Sequence, residues 1–431
     1  MGYWRLAIDE GSQSLIPNLF SLFFMPQQTI KLTQMAHGGS AIGRPKSGGL
    51  VFVPFGIPGE TVQISVVTDK GRYAEGQIDK IITPSPDRVT PRCQHFGVCG
   101  GCHFQHIAYK RQLALKRELV RDQLERIGGL KNVRVQPTLP HPTPWGYLAD
   151  VELSPVNDGG LGFWSPGEHR VIPIENCPIV HPRLQALWHD IDLALPGLRK
   201  LTLRLGEEEA MLAALEVDEV EPPELEADFP VSVAIVLPDK TAASLIGDPF
   251  IVKVVKERPF RVSPGCYFPS SPEAAALVVD TVLAFAKLTG SETVVEPFSG
   301  VGMLTAFLAE RARAVVAIEM NEDAVADTAV NLDDLDNVSL YEGWLEEVLP
   351  VLDVVPQVVV VNPPSSGLTR EGMRAVVDKR PLRLIYVSSD VATLARDGKH
   401  LSRAGYRLVE IQPIDARPQT FHIDTVSLWE K

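Results

Sequence analysis

Long hydrophobic runs are missing from this sequence. No apolar stretch in its 431 residues reaches the roughly 18–20 residues that a membrane-spanning helix needs. The nearest approach, Leu15 to Met25, is broken by Pro17 and Asn18 and is followed by no small-residue cleavage site, so it does not read as a signal peptide. Met25 reads as the natural start, with residues 1–24 an upstream extension. Cysteine is scarce as well: there are five, and Cys93, Cys99 and Cys102 fall within ten residues of one another. That is not the spacing of a disulfide-stapled secreted domain, and it points to a reducing cytoplasm and a metal site.

Positive charge is in deficit, with a formal net charge of −13, which taken alone argues against a nucleic-acid partner. The distribution changes that reading. Between Gly206 and Asp228 lie ten acids and no base, while Arg88 to Arg134 carries ten bases against Glu118, Asp122 and Glu125. Screening confines a distant charge to about 8–10 Å, so the second stretch can face phosphates on a globally acidic chain; a solvated helix face is the plainer alternative.

The chain is too long for one core. Residues 28–87 read as short strands (29–33, 49–54, 61–69, 73–82) separated by Gly38-Gly39, Gly48-Gly49 and Pro58-Gly59, which suits a small barrel of oligonucleotide-binding type. Ala108 to Ile127 has helical period, with bases among its apolar positions, and ends at Gly128-Gly129. Residues 88–265 are expected to form a mixed α+β middle domain containing the cysteine motif, and 266–431 an α/β domain of alternating helices and strands, hence a parallel, doubly wound sheet. Such sheets bind ligands at the carboxyl ends of their strands.

Two constellations carry chemistry. Glu296-Pro-Phe-Ser-Gly300-Val-Gly302 is a glycine turn after a buried strand, Glu319 ends the next strand, and Asn362-Pro363-Pro364 ends a later one. A carboxylate at the second strand end can accept both ribose hydroxyls of a nucleotide-like cofactor. Thr305 stands where a dinucleotide fingerprint needs its third glycine, which favours S-adenosylmethionine over a dinucleotide. The other constellation is Cys93, Cys99 and Cys102, with Cys177-Pro178 downstream. Four thiolates can hold zinc or an iron–sulfur cluster; the lack of a second closely spaced pair leans toward the cluster.

Over residues 30 to 431 the sequence resembles the RNA uracil-5-methyltransferase family. The resemblance rests on Met35-Ala-His-Gly-Gly-Ser-Ala-Ile-Gly43-Arg and Pro58-Gly-Glu60, on Cys99-Gly-Gly-Cys102-x2-Gln105-His106, on Tyr386-Val-Ser388 and Thr393-Leu-Ala-Arg396-Asp397, and on Pro418-Gln-Thr420 with His422. It implies an N-terminal TRAM barrel, a 4Fe–4S cluster on Cys93, Cys99, Cys102 and Cys177, and a class I methyltransferase domain binding S-adenosylmethionine through Phe298, Gly300, Gly302, Glu319 and Asn362. The implied partner is ribosomal or transfer RNA, with no membrane.

The departures from the family pattern fall in its catalytic centre. Ser389 stands where the family has its nucleophilic cysteine, and Asp424 where it has a proton-abstracting glutamate. Asp390-Val391 replaces Asn-Pro, Asn362-Pro-Pro-Ser365 replaces Asp-Pro-Pro-Arg, and Pro269 replaces a glutamine. Serine supplies almost no alkoxide without an adjacent base, whereas a cysteine near pKa 8.5 supplies some thiolate at pH 7. Two readings therefore stay open: an RNA methyltransferase working with Ser389, or a catalytically silent RNA-binding relative that keeps the cluster and the cofactor fold.

Overall fold

The computed structural model describes residues 27–46, 48–156, 160–191, 195–218, 230–238 and 241–431. The expected N-terminal extension and the acids from Glu219 to Asp228 lie outside the described residues. Among the described residues two compact units are present, one comprising 27–34 together with Ser40–Ser85, the other Met35–Gly39 together with the described part of Pro86–Lys431.

The strands Gln27–Met35, Ala41–Gly43, Leu50–Val53, Thr61–Asp69 and Tyr73–Thr83 close into a five-stranded barrel. Closure comes from Gln27–Met35 pairing antiparallel with Thr61–Asp69. Alternation along these strands sends Ile30, Leu32, Val51, Val53, Val62 and Ile64 inward, as a period of two dictates. Ala41–Gly43 is too short to show that period, and sequence patterning missed it.

In the second unit, helix Tyr109–Arg126 buries Leu115, Lys116, Leu119, Val120, Gln123 and Leu124, a stripe at helical spacing. A seven-stranded sheet, built from strands between Asp150 and Ile246, forms its own core around Leu153, Leu201, Leu203, Leu215 and Ile235. Residues from 272 onward supply seven strands of an eight-stranded sheet, and Arg134–Val135 adds the eighth at the edge beside Arg407–Ile414. In it Val338–Glu342, Ala314–Glu319, Thr293–Pro297, Val358–Val361 and Arg383–Ser388 lie side by side and parallel. The sheet is not wholly parallel. Asp424–Glu430 inserts antiparallel beside Arg383–Ser388 and pairs with Arg407–Ile414 on its other edge. Only the short 415–423 loop joins these last two strands, and a connection of that kind links antiparallel neighbours. Helices Leu345–Val351, Arg370–Asp378 and Val391–Arg403 complete the crossovers that sequence patterning had left as unassigned connections.

Candidate cofactor and catalytic site

Strand order reverses between Thr293–Pro297 and Val358–Val361, and a crevice opens outside the carboxyl ends of strands at such a switch point. The glycine turn and Asn362 both open onto it. Phe298, Gly300 and Gly302 have φ of 62°, 57° and 84°, a left-handed conformation that is uncommon for a phenylalanine. A Cβ on Gly302 would press on Leu332 and Thr328 at 3.1 Å, whereas one on Gly300 would meet nothing within 4 Å. Helix packing thus demands the second glycine, and the first leaves the backbone open to a ligand. Thr328 Oγ1 donates to Gly300 O at 2.7 Å and Asn331 Nδ2 to Val301 O at 2.8 Å, fixing the turn from behind.

Glu319 is committed to the same turn. Its Oε2 accepts from Gly300 N–H at 2.9 Å, and its Oε1 from Met320 and Asn321 N–H at 2.8 and 2.9 Å. These bonds use three of the roughly four lone-pair sites of a carboxylate and aim the group without rotamer freedom. Glu296 differs. It is 1% exposed, and its Oε2 has no hydrogen-bond partner. Burial pushes its carboxyl up to about 8, with Thr305 opposing and the Glu319 charge adding to the rise. Burial thus favours its neutral, protonated form.

The second half of the site is the mouth between Arg383–Ser388 and Asp424–Glu430. Ser388 pairs with Thr425, so Ser389 and Asp424 leave the sheet together, both half-buried. Asp424 is not free: Arg417 Nη2 donates to its Oδ1 at 3.2 Å. Asp390 caps helix Val391–Arg403 by accepting from Thr393 N–H at 2.8 Å, and its other oxygen lies 3.4 Å from His37 Nε2. Hydrogen bonding from His37, more than that from Thr393, holds its carboxyl down at about 2 against the opposing effect of burial.

Sequence reasoning missed the group behind this mouth. Lys116, counted there among the bases of a helix face, is 0% exposed and bound to Asp415, also 0% exposed. Its ammonium also donates to Arg417 O at 3.2 Å, so one buried cation ties down the loop whose Arg417 holds Asp424. Its neighbour Arg117 is likewise turned inward, to Val135 O at 2.7 Å. The basic stretch is therefore only partly a surface.

Cys93, Cys99, Cys102 and Cys177 are free and half-buried. Burial pushes the Cys102 thiol up to about 12, and the thiols of Cys177, Cys99 and Cys93 add to the rise, so the four groups act on one another. Among the described residues no three His, Cys, Asp or Glu side chains are gathered closely enough to hold a metal ion. Cys266, also free, is buried apart from them under Asp327, and burial raises its thiol.

Comparison with known proteins places this geometry. The TRAM domain model matches residues 27–78. An uncharacterized RNA methyltransferase of Bacillus cereus is 31% identical over 92% of this chain and 95% of the relative. One from Halalkalibacterium halodurans is 31% identical over 93% and 96%. The chain belongs to the RNA methyltransferase family. Among solved structures, a Pyrococcus abyssi tRNA (uracil-54, C5)-methyltransferase in complex with S-adenosyl-L-homocysteine superposes with a TM-score of 0.70 at 24% identity, covering 93% of this chain and 100% of that one. That likeness shows a shared class I methyltransferase fold for this family member. No helix among its described residues is long and apolar enough to cross a membrane.

Proposed function

We propose that the protein is an S-adenosylmethionine-dependent RNA methyltransferase of the uracil carbon-5 type. Its parts are a TRAM barrel (28–87), an iron–sulfur middle domain (88–265) and a methyltransferase domain (266–431). The observation that carries the reading is the crevice at the switch point: an open glycine turn, a carboxylate aimed by three backbone N–H groups, and an orphaned carboxyl oxygen on Glu296. These residues fit the cofactor. Glu319 would accept a ribose hydroxyl at its remaining lone-pair site, Gly300 and Gly302 would let the backbone approach, and Phe298 and Asn362 would line the crevice. The cofactor supplies an electrophilic methyl group.

Ser389 would be the attacking residue and Asp424 the base that removes the carbon-5 proton. The Arg417 bond to Asp424 draws one oxygen away from a substrate, and general-base catalysis depends on reach. A serine nucleophile and a base already engaged by Arg417 both point to slow turnover. They also favour the second reading, an RNA-binding protein that keeps the cofactor fold without turnover.

Calorimetric titration with S-adenosylmethionine tests the proposal, and micromolar binding is the expected result. Absence of binding at millimolar ligand would remove the methyltransferase reading and leave the silent one.

The cluster assignment rests on the donor chemistry of the four cysteines, since each iron takes one thiolate, and on the influence of Cys177, Cys99 and Cys93 on the Cys102 thiol. Protein purified without oxygen is expected to be brown, with broad absorption near ~400 nm. Colourless protein with one equivalent of zinc would overturn the assignment.

A further inference from the structure

Helix Val391–Arg403 leaves the candidate site at Asp390 and runs away from it between two grooves. One, of about 400 Å³, is bordered by Arg370, Arg374, Arg396 and His400. The other, of about 460 Å³, is bordered by Lys131, Lys399, Arg403 and Arg407. The only acid lining either groove is Asp397. It is 2% exposed and already accepts from Tyr386 Oη at 2.7 Å, Leu368 N–H at 2.9 Å and Arg396 Nε at 2.8 Å. Seven Lys or Arg side chains and one histidine thus border two grooves on a chain with a formal net charge of −13.

Folding does not account for this concentration. The helix dipole favours cations in the last turn, which covers His400 and Arg403 only. Lys399 and Arg403, four apart on one face, repel each other and weaken an isolated helix by a few tenths of a kcal/mol. Lys131, Arg370 and Arg407 come from other segments. Arg374 and Arg407 reach Asp378 and Glu430 at 3.6 and 3.9 Å, loose and largely exposed pairs of little strength. Lys131, Arg370, Lys399 and Arg403 have no acidic partner among the described residues.

We propose that this face holds the phosphodiester backbone of the RNA as it leads away from the nucleotide presented at Ser389. The inference rests on the RNA methyltransferase reading and extends it to where the rest of the substrate lies. Thirteen residues at 1.5 Å each make a helix about 20 Å long, enough to follow several successive phosphates away from the site. The grooves recognise charge and spacing rather than sequence, since phosphate contacts set register and carry no base information.

The test uses the full chain with three substitutions, Lys131→Glu, Lys399→Glu and Arg403→Glu, against unfractionated transfer RNA. Fluorescence anisotropy is read between 50 and 200 mM salt. The variant is expected to bind at least tenfold more weakly at the low-salt end. Its log–log salt slope should be shallower by roughly two units, at about 0.7–0.9 per lost phosphate contact. Cofactor binding and melting should match the parent; where they do not, the milder Lys399→Gln, Arg403→Gln pair is read instead, with a smaller loss in the same direction. Equal affinity and slope in parent and variants would overturn the groove proposal and leave the RNA reading standing. A parent that binds no RNA at 50 mM salt would overturn both. Loss of binding to phosphatidylglycerol vesicles with RNA binding unchanged would reassign the face to a membrane surface.

Discussion

Replacing Asp415 by alanine is expected to destabilise the protein by ~3–5 kcal/mol, because it leaves an ammonium in the interior with no counter-charge. Lys116 and Asp415 are both 0% exposed, so water cannot take over the solvation of either. Burial lowers the pKa of Lys116 and Asp415 opposes that fall; without the carboxylate, Lys116 would shed its proton or drag the loop open. The double substitution Lys116→Met, Asp415→Leu removes both charges at once and is expected to recover most of the loss, since an apolar pair of similar size often replaces a buried ion pair without penalty. Denaturant midpoints at unchanged slope report the difference. An Asp415→Ala variant within about 1 kcal/mol of the parent would show that solvent reaches the pair, a single exposed pair being worth no more than that. A functional consequence separates the two variants. Lys116 also holds Arg417 O, so the double variant is expected to fold while placing Asp424 less well, losing RNA-directed activity but not cofactor affinity.

That pair also shows where sequence reading stops. Helical spacing places position 116 on the same stripe as Leu119, Val120 and Gln123, but a lysine among other bases reads by its chemistry as surface. The chemistry was followed, and it was the wrong guide, because the compensating charge lies 299 residues away in sequence and leaves no local trace. The same limit applies to His37, whose partner Asp390 lies far along the chain, and to the loop at Arg417. Elements with strong local pattern were legible: the helix at Tyr109–Arg126, the strands that end at Pro297, Glu319 and Val361, and the glycine turn between Phe298 and Gly302. Short or weakly periodic pieces were not, among them Ala41–Gly43 and the helices Leu345–Val351 and Arg370–Asp378. The crevice was legible for a different reason. Its residues sit at strand ends, and strand order in a doubly wound sheet brings those ends together whatever lies between them.

Glu319→Ala is expected to lower affinity for S-adenosylmethionine by at least one order of magnitude. A hydrogen bond to a charged group contributes about 1.5–3 kcal/mol, and one lone-pair site of this carboxylate remains for a ribose hydroxyl, so its loss exceeds the roughly 1.4 kcal/mol that a tenfold change requires. The substitution has a second effect, because three backbone N–H groups, at Gly300, Met320 and Asn321, lose their acceptor. Water can satisfy Met320 and Asn321, which are exposed. Gly300 N–H sits at the open turn, and its release would let the left-handed conformation at φ 57° relax. Glu319→Gln separates the two effects. Its carboxamide keeps one oxygen for the turn and turns an NH2 donor toward the other N–H groups, so the turn is held in part while the charge is gone. The expected order of affinity is parent, then Gln, then Ala, with melting changed far less than binding because Gly302 remains buttressed by Leu332 and Thr328. An Ala variant that binds the cofactor like the parent would mean that the crevice at the switch point is not where the cofactor sits. Equal losses in Gln and Ala would mean that the charge, and not the geometry of the turn, carries the affinity.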